Sequence, residues 1–384
     1  MRRIWSLATG TIPSPVTAGR AWGRCLCDAP LMRLGAEKAV PDQAPQSDRP
    51  LVEVDDLHVR FVDHDETVWA VNGVSFALMP GEVLCIIGES GCGKSVTMRA
   101  LMRLLPGKRT VIRGRIKVGQ HDITALGERQ LATVRGSTVA MVFQEPMTAL
   151  DPVYTIGRQI AETVMRHERC SRKIAQDRAF EILQLVKVPS PERRLDCYPH
   201  ELSGGLRQRA LIAMALSCRP RLVLADEPTT ALDASVQIQI LLLLRRLQRE
   251  LGMGLIFVTH DLGVAAQIAD KVAVMYAGRI VEFGTACEVL LQPRHPYTMG
   301  LLASILHDPL RKQDIEAIPG SPPDLRLMPE GCSFAPRCKF ARTVCGAVVP
   351  PPHLVAPGHV ACCALIDELP LRDAPAGQPA RAVQ

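Results

Sequence analysis

The sequence predicts an α/β fold with a largely parallel sheet, and three observations carry that prediction. Short continuous apolar runs of buried-strand type recur at Val83–Ile87 and at residues 139–143, 222–225 and 255–259. They alternate with helix-forming stretches, the pattern of parallel strands joined by crossover helices. Residues 156–217 read as mostly helix, a helical insertion into that sheet.

Composition excludes several classes. The chain has 384 residues, 47% apolar and 22% charged, which is ordinary globular usage with length for two or three domains. Lysine and arginine exceed the acids by 45 to 39, a net +6. That mild excess is not the footprint of a dedicated nucleic-acid binder, and 4% aromatics leave little for base stacking. No apolar run reaches the about 18 residues of a membrane span. The densest, 238–244, contains Gln239 and runs into Arg245 and Arg246. Arg2 and Arg3 precede no apolar h-region, so a secretory signal is not supported. Thirteen cysteines in such a chain point to a reducing cytoplasm with some thiols as metal ligands.

The elements follow in order. Residues 1–48 show no sustained periodicity and no acid before Asp28, and are expected to form a disordered extension. Residues 52–61 are strand-like and 96–105 read as a good helix. Residues 49–291 are assigned to one α/β unit, with the helical part at about 156–217. Beyond Leu291 prolines crowd the chain, among them Pro293, Pro296, Pro319, Pro322 and Pro323. Five of the thirteen cysteines follow Gly331, so residues 292–370 read as a second, irregular, cysteine-rich domain, and 371–384 as a polar tail.

Between the first apolar run and the 96–105 helix lies Gly88-Glu89-Ser90-Gly91-Cys92-Gly93-Lys94-Ser95, which fits G-x-x-x-x-G-K-[ST]. Glycines let successive backbone N–H groups turn inward and cradle phosphates beside the positive end of a helix. In that arrangement Lys94 reaches the β and γ phosphates and Ser95 offers its hydroxyl to Mg²⁺. The apolar run 222–225 ends in Asp226 and Glu227. The first acid suits Mg²⁺, directly or through water, and the second can polarise an attacking water.

Leu202-Ser203-Gly204-Gly205-Leu206-Arg207-Gln208-Arg209 precedes the acidic run, and this segment resembles the signature motif of the ATP-binding-cassette (ABC) ATPases. Other pieces match in order. Gln144 in Val142-Phe143-Gln144-Glu145-Pro146 resembles the Q-loop, Ala231-Leu232-Asp233 the D-loop, and His260 the switch histidine. Phe61 resembles the aromatic that stacks on adenine, although nearby Trp69 is also available. The resemblance implies a P-loop core with an antiparallel β subdomain and a helical subdomain. It implies ATP and Mg²⁺ (on Ser95, Gln144 and Asp226), Glu227 as general base, and His260 as γ-phosphate sensor. Ser203, Gly204 and Gly205 would face ATP held by a second ATPase subunit. Cys92 replaces a commoner small hydroxyl or glycine, and positive surroundings would make its thiolate oxidation-sensitive.

The C-terminal part carries the resemblance further. Pro293-Arg294-His295-Pro296-Tyr297-Thr298, Ile318-Pro319-Gly320-Ser321-Pro322-Pro323 and Gly331-Cys332-Ser333-Phe334-Ala335-Pro336-Arg337-Cys338 resemble the dipeptide, oligopeptide and nickel importer ATPases. Import of peptides is therefore expected, with nickel complexes, opines, glutathione or a non-transport role as alternatives. The implied partners are a paralogous ATPase, two membrane-spanning permeases and a solute-binding protein, with no nucleic acid. The implied location is the cytoplasmic face of the bacterial inner membrane. The intervals between Cys332, Cys338 and Cys345 match neither zinc ribbons nor common ferredoxins. By similarity Cys332, Cys338, Cys345 and Cys362 would hold a [4Fe–4S] cluster, with Cys363 spare. Zinc and free thiols remain open, and His295, His353 and His359 are read as packing or surface residues.

Overall fold

The computed structural model describes residues 49–63, 66–229, 232–305 and 317–370. The expected extension 1–48 and tail 371–384 lie outside them, as does Ala231 of the D-loop segment. Two sheets organise the described residues. The first is antiparallel, in the order β2-β1-β4-β5, from β1 (Val52–Asp63), β2 (Glu66–Leu78), β4 (Thr110–Val118) and β5 (His121–Asp122). The second has eight strands in the order β11-β12-β10-β9-β3-β8-β7-β6. Its parallel part is β9 (Lys271–Tyr276), β3 (Val83–Ile87), β8 (Gly254–Thr259), β7 (Leu222–Asp226) and β6 (Val139–Val142).

Those strands are continuous apolar runs because both their faces are covered. Val83, Cys85 and Ile87 of β3 join the apolar cluster on the helical side. Leu84 and Ile86 join the cluster shared with the antiparallel sheet. Side chains of this size contribute about 1.5–3 kcal/mol each when fully buried, so β3 is the anchor of the loop that follows it.

The helical insertion between β6 and β7 contains Ile156–Glu168, Arg172–Leu185 and Gly204–Leu216. Thr155 and Ser171 cap the first two, accepting from Arg158 N–H and Ile174 N–H. The helix after the glycine loop is Lys94–Leu101, shorter than the expected 96–105. Met102 closes it, and Pro106 further on disfavours helical backbone at the residue before it.

Residues 317–370 do not sit apart from the sheet. Antiparallel to the parallel strands, β10 (Arg279–Thr285) pairs with β12 (His359–Ala361), and β12 with β11 (His353–Ala356). Tyr297, Leu302 and Phe334 belong to the same apolar cluster as the parallel strands. A small second cluster gathers Cys345, Cys363, Leu365 and Leu369.

Candidate functional site

Register brings the site together. Ile87 is opposite Thr259 and Val142 opposite Ala225, while Asp226 is opposite Val258. The residues that follow these strand ends therefore emerge side by side at the carboxyl edge of the sheet, where open α/β sheets bind ligands. They are Gly88, Gln144, Glu227 and His260.

The glycine loop is built for close approach. Gly93 has φ of 104°, and a Cβ there would stand 2.3 Å from the Ala70 carbonyl oxygen. Lys94 is 5% exposed, and its Nζ donates to the Gly88 and Glu89 carbonyls, each at 2.8 Å. It is thus wrapped by the loop and directed at its centre. Ser95 Oγ donates to Asp226 Oδ1 at 2.8 Å. Burial pushes the Asp226 carboxyl above its ordinary value, against the Ser95 hydrogen bond and the charges of Arg99 and Lys94. A buried carboxylate beside a hydroxyl, with basic groups only partly compensating it, is a fitting donor pair for a divalent cation.

Glu227 is next to it. Its backbone has φ of 44°, in the left-handed region, held by its N–H to Val258 O at 3.1 Å. Such an outlier at a strand end is a mark of a positioned side chain. Gln144 Nε2 donates to Glu227 Oε2 at 3.3 Å, and His260 Nδ1 is 3.5 Å from the same oxygen. Asp261 fixes the turn behind His260 by accepting from Gly263 and Val264 N–H. The carboxylate, an amide and an imidazole thus meet at one atom.

The Cys92 thiol does not behave as expected from its charge surroundings. It lies 3.8 Å from Lys94 Nζ, yet burial outweighs the lysine and pushes the thiol up, away from thiolate. Phe61 packs half-buried against the core shared by the two sheets. Arg60 lies over the Trp69 ring, 5.4 Å from its centroid.

Ser203, Gly204 and Gly205 form the N-terminus of the helix Gly204–Leu216. With Asp233, Leu232 and Val236 they line one open groove, which includes no residue of the glycine loop. A Cβ on Gly205 would meet Val236 Cγ1 at 2.7 Å, so glycine there lets the helix Ala234–Leu251 approach.

The cysteines assort differently from the expectation. Cys332, Cys338, Cys345 and Cys363 line one small cavity with Phe334, Phe340 and Leu365. Cys362 does not line it; its Sγ turns to the Ile280 carbonyl at 3.5 Å. The alternation of strand side chains explains this, because neighbours at the end of β12 point to opposite faces. Burial raises the thiols of Cys332, Cys338 and Cys363, and neighbouring cysteines raise them further. Among the described residues no three His, Cys, Asp or Glu side chains are gathered as tightly as a single metal ion needs. His295 and His359 are buried, and His359 Nε2 pairs with Glu282 Oε1 at 2.8 Å. Burial pulls His295 down to about 3.

Contacts to Glu89 were not foreseen from the sequence. Arg337 and Tyr297, from the C-terminal part, both reach this loop residue. The motifs holding them were visible, but nothing local shows that they fold onto the loop.

The fold and site together define a P-loop nucleotide-hydrolysing protein. Residues 71–230 match the ABC transporter family, and residues 281–345 the C-terminal region of oligopeptide/dipeptide transporters. The chain is 47% identical to the dipeptide transport ATP-binding protein DppD of Bacillus subtilis over 319 residues, covering 83% of this chain and 95% of that one. It is also 47% identical to the oligopeptide transport ATP-binding protein OppD of Salmonella typhimurium over 321 residues, covering 84% and 95%. Among solved structures it resembles a dimeric ATP-binding cassette bound to ADP and phosphate. That match has a TM-score of 0.56 and 27% identity, and covers 61% of this chain and 98% of the other. The chain belongs to the family of ABC transporter ATP-binding proteins, and it is an ABC-type ATPase.

Proposed function

We propose that this chain is the ATP-hydrolysing subunit that powers import of di- and oligopeptides through a membrane transporter. The observation that carries the ATPase reading is the meeting of Gln144, His260 and Glu227 one residue from the Ser95–Asp226 pair. In this reading the 88–95 loop holds the ATP phosphates, Lys94 countering the β and γ charge. Ser95 and Asp226, with Gln144 at the rim, would hold Mg²⁺, which would supply charge neutralisation for the phosphates. Glu227 takes the proton of the attacking water, while Gln144 and His260 fix its carboxylate. Phe61 stacks on adenine.

A second ATPase subunit, a paralogue, supplies the other half of each site. Its ATP meets the groove of Ser203, Gly204, Gly205 and Asp233, and that groove's openness and its separation from the chain's own glycine loop support this. Two permease subunits and a solute-binding protein complete the transporter, with this chain on the cytoplasmic face of the inner membrane. Among the described residues no helix is long and apolar enough to cross a membrane. Kinship to dipeptide and oligopeptide transport proteins over most of the chain, C-terminal region included, supports peptide cargo.

We further infer that residues 292–370 act as a cysteine-bearing unit whose thiols hold a [4Fe–4S] cluster, with Cys363 in place of Cys362. The donor set fits: four soft thiols line one cavity, and those of Cys332, Cys338 and Cys363 are raised by burial and by neighbouring cysteines, a penalty that a cationic centre would relieve. A cluster also spaces its ligands more widely than one zinc ion. Iron content of anaerobically purified protein checks this. Cys363→Ser loses iron and Cys362→Ser keeps it; the reverse pattern restores Cys362.

The transport reading is tested by uptake of a labelled dipeptide and a labelled longer peptide into cells with and without the gene. Loss of uptake, restored by the native gene and not by Glu227→Gln, is expected. Unchanged uptake of both peptides would move the cargo to another solute.

A further inference from the structure

We infer that the C-terminal segment clamps and neutralises the phosphate loop through Glu89, so that Arg337 and Tyr297 are positioning residues for ATP. The inference rests on reading residues 88–95 as the ATP loop. Glu89 is the second residue of that loop, and its carboxylate would oppose an incoming polyanion.

Arg337 meets this carboxylate with both arms of its guanidinium. Nη1 donates to Oε2 at 2.6 Å and Nη2 to Oε1 at 2.9 Å. The fork is itself held, with Nε donating to the Pro319 carbonyl at 2.8 Å and Nη1 to the Tyr276 hydroxyl at 3.3 Å. The Arg337 side chain is 5% exposed, which gives the pair a geometry that a surface ion pair lacks. Tyr297 Oη accepts the Glu89 backbone N–H at 2.8 Å. Tyr276, Tyr297 and Phe334 pack ring against ring, with centroids 4.6–5.3 Å apart.

Three segments distant in sequence therefore support one loop residue, two by direct contact and β9 through the Tyr276 hydroxyl on Arg337. They are β9, the helix Pro296–Ile305 and the turn Ala335–Arg337. None of their side chains is needed for cradling phosphate, since backbone N–H groups and Lys94 do that. What they supply is a fixed start to the loop and a cation that cancels its one carboxylate. Without Arg337 that carboxylate is left half-buried and unpaired beside the phosphates.

The test is Mg·ATP binding to the full chain by calorimetry, with Arg337→Ala made in the native and the Glu89→Gln backgrounds. In the native background Kd rises about tenfold, or about 1.4 kcal/mol. In the Glu89→Gln background the same substitution changes Kd less than about twofold, because no carboxylate remains to be neutralised. The loss in the native background is larger for ATP than for ADP, since repulsion grows with ligand charge. Arg337→Lys keeps the charge without the fork and gives an intermediate rise. It takes over the same two-background comparison should Arg337→Ala not fold.

An unchanged Kd, or an equal rise in both backgrounds, would show that Arg337 only packs, and would overturn the inference. Lys94→Ala is measured alongside. If it binds Mg·ATP like the native chain, the reading of the loop itself fails. If it binds weakly while Arg337→Ala binds normally, only the clamp fails.

Discussion

At Asp226, burial and chemistry pull in opposite directions. Burial raises its carboxyl, while Ser95, Arg99 and Lys94 favour the ionised form. A carboxyl raised in the folded state contributes stability below its unfolded value of about 3.9, lost as pH rises through the folded value. At neutral pH the ionised group therefore costs stability that a bound cation would offset. Asp226→Asn keeps the shape and an acceptor for Ser95. It should raise the melting temperature of the nucleotide-free chain, by about 1 °C per kcal/mol for a chain of this length. It should also remove the dependence of ATP binding on Mg²⁺. A lower melting temperature would mean that the carboxylate is stabilising without a cation. Asp226 and Glu227 were legible in the sequence because they end an apolar run after a glycine loop. The Arg337–Glu89 pair was not, because 248 residues separate its partners and no local pattern links them. Cys92 was misread because the charge of Lys94 is visible in sequence, whereas the burial that outweighs it is not.

Among the elements, β3, β6, β7 and β8 could be read directly because both faces are buried, which leaves uninterrupted apolar runs. β4 could not, since three consecutive positions in its middle are exposed and the alternation is lost. β11 and β12 are only four and three residues long and lie among prolines, so the strands that carry the C-terminal part onto the main sheet left no periodic signal. The helix Gly204–Leu216 shows what a motif alone conceals. Gly205 is needed for its close contact with Val236 of the neighbouring helix as well as for any contact with phosphate. Gly205→Ala should push these helices apart and misalign the groove proposed to receive the second subunit's ATP. Turnover by the assembled transporter then falls at least about tenfold, while Mg·ATP affinity of the isolated chain changes less than about twofold. A parallel loss of affinity in the isolated chain would place the signature turn beside the chain's own nucleotide.

For the whole molecule, the eight-stranded sheet is the unit that relates the parts. Its parallel strands carry the phosphate loop, Glu227 and His260 to one edge, and its antiparallel extension brings the C-terminal segment against the same region. The helical insertion leaves the signature turn in a separate open groove that includes no residue of the glycine loop. ATP hydrolysis by the complete transporter with peptide present, native chain against Glu227→Gln, tests this account most directly. The account predicts peptide-stimulated turnover that falls at least about a hundredfold in the variant, with Mg·ATP still bound. Turnover within about twofold of native, less than about 0.5 kcal/mol of barrier, would contradict it.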